Sequence, residues 1–383
     1  MIYKVEDFVE EINNKSSFEV NELISMAKRE NNKKRDFLFV NNFLGKHIPA
    51  KGSEVMKLFE EFYLEIKHNE LLKGKKVLVI GFAETATALG ESVVYYWNKD
   101  KNKDFEIVSY AQTTRENVEW PNCLYFEEEH SHATSQKLYY DKSLNNFDTI
   151  LFVEDEITTG QTILNCLDLF EKAFDKEIDF VVSSILNWQN NKNKKRFLTK
   201  KVDTISLVSG KMKDEFPKIE ISTNFEAELK HKEKKENKQS ILKANNIRVQ
   251  KPISYLLDKF NKLEKTIELQ LPSSVKNYSM IGTEEFMFDS ILASYLLDGY
   301  VRASTRSPIT PSLDNEYPIN TRIKFPSMYE TNRANYLYNI SFDLDKCIVI
   351  FKDSFSSKEV FNDFKENLLL SGIKSQNIIL LEI

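Results

Sequence analysis

The stretch Ile150–Thr162, ILFVEDEITTGQT, passes from four apolar residues through Glu154, Asp155 and Glu156 to Thr158, Thr159, Gly160, Gln161 and Thr162. Ionised Glu and Asp accept hydroxyl hydrogens well. A Thr-Gly loop that opens a helix offers unpaired backbone N–H groups and the positive end of a dipole to a phosphate, and the glycine lets the backbone approach closely. Together the two halves suit a ligand with sugar hydroxyls beside a phosphate. The same order also fits an ordinary strand-to-helix loop in which a threonine caps the helix and the acids are solvated.

Other residues with chemical potential lie elsewhere. Lys46-His47 is a compact cationic pair, with a structural role as the alternative. Gly81–Thr87, GFAETAT, is a turn of small residues with Ala83, Glu84 and Thr85 at its centre, suited to an anion at a helix N-terminus or to a simple helix cap. Arg115 stands in QTTRE, with a surface ion pair as its alternative, and His130 and His132 stand in EEEHSHAT, two of only five histidines. No further His or Cys nearby completes a transition-metal shell, so acid–base work, or holding an anion in the protonated form, is the better use of these histidines. Near the C-terminus Glu284 follows an apolar run, and Arg306-Ser307 precede Pro308. Arg306 can grip a phosphate or carboxylate through two N–H groups, or pair with a neighbouring acid in a plain turn.

The elements that must position these residues are readable in outline. Lys76–Gly81 (KVLVIG) reads as a buried strand followed by a turn and a helix through LGESVVYYW. Strands recur at Ile107–Tyr110, Ile150–Val153, Phe180–Leu186 and in TISLVS, with a helix through Leu164–Ala173. Strand alternating with helix predicts an α/β fold with a mostly parallel sheet flanked by helices. Residues 1–75 read as mostly helical, because Phe8, Val9 and Ile12, then Met56, Phe59, Phe62 and Ile66, recur at helical steps around a less regular stretch. The mixed lysine–glutamate run ELKHKEKKENKQ reads as a solvated helix or linker, and it divides the chain into residues 1–245 and a second α/β unit at 246–383.

At 383 residues the chain exceeds the usual single core, and its 41% hydrophobic and 29% charged residues are those of a globular protein. A net charge of −5 gives no overall attraction to nucleic acid or to an anionic membrane. Cys123, Cys166 and Cys347 lack the spacing of a disulfide framework or a zinc site. No apolar run approaches a membrane span, and the N-terminal residues lack signal-peptide order, so the expected location is the cytoplasm.

The thirteen-residue order at 150–162 closely resembles the 5-phosphoribosyl-1-pyrophosphate (PRPP) motif of type I phosphoribosyltransferases, with Glu156 where an aliphatic residue is common. KRDFLFVNNFLGKHIP, GFAETATALG, QTTRE, EEEHSHAT, EDEITTGQT and Thr305-Arg306-Ser307-Pro308 extend the likeness. Together they resemble the orotate-phosphoribosyltransferase-like branch of tellurite-resistance and stress-response gene clusters, whose C-terminal domain is named for its Thr-Arg-Ser-Pro (TRSP) motif. The resemblance implies a Mg²⁺-dependent transfer at C1 of PRPP to, or from, a base-like acceptor, in the making of a nucleoside-like metabolite. It assigns the ribose hydroxyls to Glu154 and Asp155 and the 5-phosphate to Thr158, Thr159, Gly160, Gln161 and Thr162. Pyrophosphate goes to Ala83, Glu84 and Thr85 with Lys46 and His47, and catalysis to Arg115 with His130 and His132 in a mobile hood. Glu284, Arg306 and Ser307 would form a C-terminal site that completes or follows the transfer. A homodimer is the superfamily's common state. The competing reading is a regulatory protein that senses PRPP or a nucleotide without turnover.

Overall fold

In the computed structural model the described residues are 3–30, 35–127, 135–174, 177–222, 241–242, 247–271, 278–330, 333–340, 347–352, 358–373 and 378–382. The apolar runs of the sequence form five adjacent parallel strands in the order Val202–Met212, Asp179–Asn187, Thr149–Ile157, Lys76–Gly81 and Glu106–Thr114. Near-continuous apolar sequence is what a strand covered on both faces requires; Val77 to Ile80 and Ile150 to Val153 are all buried. Antiparallel strands finish the sheet on both sides. Val9–Asn14 pairs with Val202–Met212, while Ser135–Tyr139 joins Glu106–Thr114 to Cys123–Glu127.

The helices Gly52–Lys67 and Ala86–Lys99 pack against each other and the sheet, and Gln161–Ala173 packs against Cys123–Glu127. Ala86–Lys99 is buried around most of its circumference, as a helix covered on several sides must be. Gly81 and Gly90 make the first strand–helix approach possible, since a Cβ on Gly81 would lie 2.7 Å from the Ala86 carbonyl oxygen and one on Gly90 would lie 3.0 Å from the Gly81 Cα.

A second sheet takes the order Ile378–Glu382, Cys347–Lys352, Tyr278–Gly282, Tyr300–Ala303 and Ala50–Lys51, parallel except for the last pair. Its last strand comes from the N-terminal part of the chain. In return Lys251–Pro252 pairs antiparallel with Ser109 and Tyr110 of the large sheet. The two sheets are therefore interleaved.

The first 45 residues differ from the helices that apolar spacing predicts. Among the described residues they form the strand Val9–Asn14, the short helix Val20–Leu23, and an antiparallel pair of Ile24–Lys28 with Phe37–Asn41. The aromatic and β-branched residues of FLFV favour a pleated surface. Packing decides the outcome: Phe8 meets Phe37 with ring centroids 4.6 Å apart, and Phe39 meets Trp188 at 5.4 Å. Further along, Gly52–Lys67 is a helix of the kind its periodicity indicates. The lysine–glutamate run at 228–239 lies outside the described residues.

Candidate active site

Ladder pairing between Thr149–Ile157 and Lys76–Gly81 ends at Val153 and Gly81, yet the first of these strands runs on to Ile157 alongside Asp179–Asn187. Glu154, Asp155 and Glu156 are consequently strand residues rather than the start of a loop. They sit where the neighbouring chain has turned away, at the carboxyl end of a parallel sheet, which is where such folds bind ligands. Each is part-buried. A Glu154 oxygen accepts the Asp155 N–H at 3.0 Å, and an Asp155 oxygen accepts the Glu156 N–H at 3.0 Å. Glu156 turns to Arg35, 2.8 Å away, whose guanidinium lies over the rings of Phe37 and Phe39. Burial raises the Glu156 pKa above the ordinary carboxylate range although Arg35 pulls it down.

Thr158 and Thr159 lead to Gly160, whose φ of 70° lies in the left-handed region and which caps the helix Gln161–Ala173. No other residue fits there easily, because a Cβ would stand 2.4 Å from the Phe197 ring. Thr158, Thr159, Gln161 and Thr162 are part-buried around this helix N-terminus. Gln161 accepts from Arg196 and donates to Asn165 at 2.6 Å. Arg196 lies on the helix Asn191–Thr199, so part of the lysine-rich stretch supports the loop rather than only facing solvent. The buried amide of Gln189, beside Gly160, has no hydrogen-bond partner on either terminal atom among the described residues.

The Gly81–Thr87 turn faces this motif. Its Ala83–Glu84 peptide is cis. Ala83 N–H donates to the Thr113 hydroxyl at 2.7 Å, and Thr87 donates to the Glu84 carbonyl oxygen at 3.1 Å as the helix Ala86–Lys99 begins after Thr85. The side chain of Glu84 enters a cluster of cations: Lys46 Nζ is 2.6 Å away, Arg115 Nη1 is 3.6 Å away, and the Arg306 N–H donates at 3.4 Å. Burial alone would raise the Glu84 pKa, but Lys46, then Arg306 and Arg115, outweigh it and hold it at about 2.

The Lys46-His47 pair is not doubly cationic. Burial, reinforced by Lys46, depresses the His47 pKa to about 3, so the imidazole is neutral near pH 7. His47 Nε2 has no hydrogen-bond partner among the described residues. Lys46 is neutralised by Glu84 and also donates to the Glu284 carbonyl oxygen at 2.8 Å.

Through that contact the C-terminal residues join the site. Arg306 Nε lies 3.0 Å from Glu284 and its Nη2 pairs closely with Glu116, which Arg333 also contacts at 2.8 Å. Glu284 has a φ of 52°, an uncommon backbone for a non-glycine, and its carboxylate also receives the Ser327 hydroxyl at 2.6 Å and the Met328 N–H at 3.2 Å. Glu285 accepts from Arg248 at 2.9 Å, Thr114 at 2.6 Å and the Arg115 N–H at 3.0 Å. Burial raises the pKa of Glu116 despite Arg306 and Arg333, whereas for Glu285 the opposing pull of Arg248 and Arg306 wins and lowers it. Ser307 stands at the edge of this network, its carbonyl oxygen accepting from the Tyr338 hydroxyl at 2.7 Å and its N–H bonded to Thr305.

A small open cleft lies between the motifs. The strand ends contribute Asp155, Glu156 and Leu186, and the 81–87 turn contributes Thr85; the N-terminal region contributes Phe39, Asn41, Leu44, Lys46 and His47. The structure thus brings together the 150–162 stretch, the 81–87 turn, Lys46, His47, Arg115, Glu284 and Arg306. His130 and His132 lie outside the described residues. Sequence reasoning missed Arg35, Phe39, Asn41, Leu186, Gln189 and Arg196. The one available signal was Arg35 ahead of the alternating aromatics of RDFLF.

Among the described residues no three His, Cys, Asp or Glu side chains converge on a protein-only metal site. Glu154 and Asp155 offer the hard oxygen donors that Mg²⁺ takes when phosphate oxygens and water supply the remainder. No described helix is long and apolar enough to cross a membrane.

A family model described as phosphoribosyl transferase matches residues 23–211, and one described as the TRSP domain C-terminal to that transferase matches residues 250–368. No curated protein matches the sequence. Solved structures similar to this chain include adenine phosphoribosyltransferase from Trypanosoma brucei, at 16% identity, 49% of this chain, 76% of that one and a TM-score of 0.35. The enzyme from Giardia lamblia follows at 14% identity, 48% and 93% coverage and a TM-score of 0.32, and that from Saccharomyces cerevisiae at 12%, 48%, 94% and 0.30. With both domain models matched in tandem over most of its length, the chain belongs to the phosphoribosyltransferases that carry a C-terminal TRSP domain, and it is a pentosyl-transferring enzyme.

Proposed function

We propose that this enzyme moves the phosphoribosyl group of PRPP to a base-like acceptor, with Glu154 and Asp155 holding the ribose hydroxyls and the 158–162 loop holding the 5-phosphate. The observation that carries this reading is the run of Thr149–Ile157 past the end of its neighbour, which sets two carboxylates between a Gly-capped helix N-terminus and the 81–87 turn. That turn is the place for pyrophosphate. Lys46 and Arg115 flank it, and their shared partner Glu84 is the carboxylate the departing anion would meet.

In the transfer, a nitrogen of the acceptor bonds to C1 as the C1–O bond breaks; the electron pair leaves on pyrophosphate and the acceptor's N–H proton passes to water. Mg²⁺, held by Glu154 or Asp155 together with ligand oxygens, would supply charge neutralisation of the pyrophosphate. The protein's own part is orientation and fixed charge around a centre that builds positive character. Arg306 and Glu284 support the further proposal that the TRSP segment completes the site, since they contact Glu84 and Lys46 directly. The product would serve as a nucleoside-like metabolite of a stress or tellurite response, as the motif resemblance implies.

The test is calorimetric binding of PRPP with Mg²⁺ to the wild type and to the double variant Glu154→Gln, Asp155→Asn. The variant is expected to keep its circular dichroism spectrum and melting temperature while losing PRPP binding. Unchanged affinity would remove the assignment.

A further inference from the structure

The transferase reading leaves the acceptor open, and the cleft narrows it. An acceptor must reach C1, which lies between the ribose carboxylates and the pyrophosphate turn, represented in the cleft by Asp155 and Thr85. The rest of the lining is then available to the acceptor itself. Phe39 and Leu186, both largely buried, form the apolar part of the lining. Two polar side chains stand among them.

Asn41 is 6% exposed, and its Oδ1 is committed to the Phe43 N–H at 2.9 Å. That bond fixes the amide orientation and leaves Nδ2, which has no partner among the described residues, as a donor. Glu156 gives one oxygen to Arg35 at 2.8 Å, and a carboxylate has acceptor capacity for further N–H groups. The cleft's charges point the same way. Asp155 and Glu156 are both acids, Lys46 is bound to Glu84, and His47 is held neutral by burial and by Lys46. A carboxylate on the acceptor would find no uncommitted cation among the described residues of this lining.

We propose that the acceptor is an uncharged flat heterocycle carrying an N–H donor beside a ring-nitrogen or carbonyl acceptor. Glu156 receives its N–H, Asn41 Nδ2 donates to its acceptor atom, and carboxylate-bearing rings are excluded. The inference rests on the transferase reading above and names the substrate class of that same site.

The experiment uses the full chain with PRPP and Mg²⁺, following pyrophosphate release and ribosylated masses. One panel holds adenine, guanine, hypoxanthine, cytosine and uracil; the other holds orotate, nicotinate and quinolinate. Turnover is expected in the first panel only. Glu156→Gln and Asn41→Asp are nearly isosteric, and Asn41→Asp retains the oxygen that Phe43 needs. Each should lower kcat/KM for the accepted heterocycle about ten-fold or more, the scale of one or two hydrogen bonds, with PRPP affinity unchanged and the circular dichroism spectrum of the folded wild type retained. Turnover of the carboxylate panel would overturn the inference while upholding the transferase, as would full activity in both variants. PRPP binding without turnover or calorimetric binding of any neutral heterocycle would likewise overturn it. Failure of the wild type to bind PRPP would instead sink the transferase reading, and this inference with it.

Discussion

Arg306 touches carboxylates from two distant parts of the sequence. It contacts Glu284 and Glu116, and its main chain reaches Glu84. With 10% of its side chain exposed, these interactions are made in a medium where a lone charge is costly. Arg306→Ala would leave Glu84, Glu116 and Glu284 with less counter-charge and is expected to destabilise the protein by about 3 kcal/mol or more, the usual result of breaking a buried pair. Arg306→Lys should recover only part of this, because an ammonium cannot reproduce the guanidinium fork. Urea denaturation midpoints of the three proteins measure both effects. Unchanged stability in the alanine variant would show that the network contributes little. Arg306 was recognisable in the sequence as a reactive type in a polar turn. Its choice between a ligand and a neighbouring acid was not, because Glu116 lies 190 residues away.

Legibility varies in the same way among the elements. Lys76–Gly81 has the bounds its apolar run predicts, and the helix after Gly160 begins where Thr-Gly chemistry places it. Those signals are local: a run buried on both faces, and a glycine at positive φ. The N-terminal strands were not legible, since Val9–Asn14 pairs with residues 208–212 and Phe39 owes its place to Trp188. Another long-range junction carries a pH dependence. Lys259 on the helix Ile253–Gln270 contacts Glu91 at 2.5 Å on Ala86–Lys99 and Asp289 at 2.7 Å on Phe288–Leu296, all three side chains being largely buried. Burial raises the Glu91 pKa, Lys259 lowers it and Asp289 raises it again, leaving it at about 7. A folded pKa above the unfolded value, about 4.3, gives stability that is fully present below that value and lost as the pH rises through about 7. His47, depressed to about 3, imposes the opposite slope on the acid side, so a variant comparison is needed. Between about pH 5 and about pH 8, wild type should lose stability relative to Glu91→Gln. Parallel unfolding curves for the two proteins would refute the assignment.

At the scale of the molecule, the transferase and TRSP segments share strands and a buried contact surface. Ala50–Lys51 closes the C-terminal sheet, and Lys251–Pro252 is attached to the large one. Gly52 fits so closely under the helix Phe288–Leu296 that a Cβ would stand 2.3 Å from the Ser294 carbonyl carbon. A single calorimetric unfolding transition is therefore expected for the full chain, and a fragment of residues 1–245 should melt at a lower temperature or fail to fold. Two well-separated transitions would show that the segments are thermodynamically independent. The exchanged strands also bear on ancestry. A recombination joining this transferase segment to another neighbour would strand Ala50–Lys51 without a partner and take away Lys251–Pro252. Replacement of one half then requires compensating change in the other, and descent as an undivided pair is the easier course.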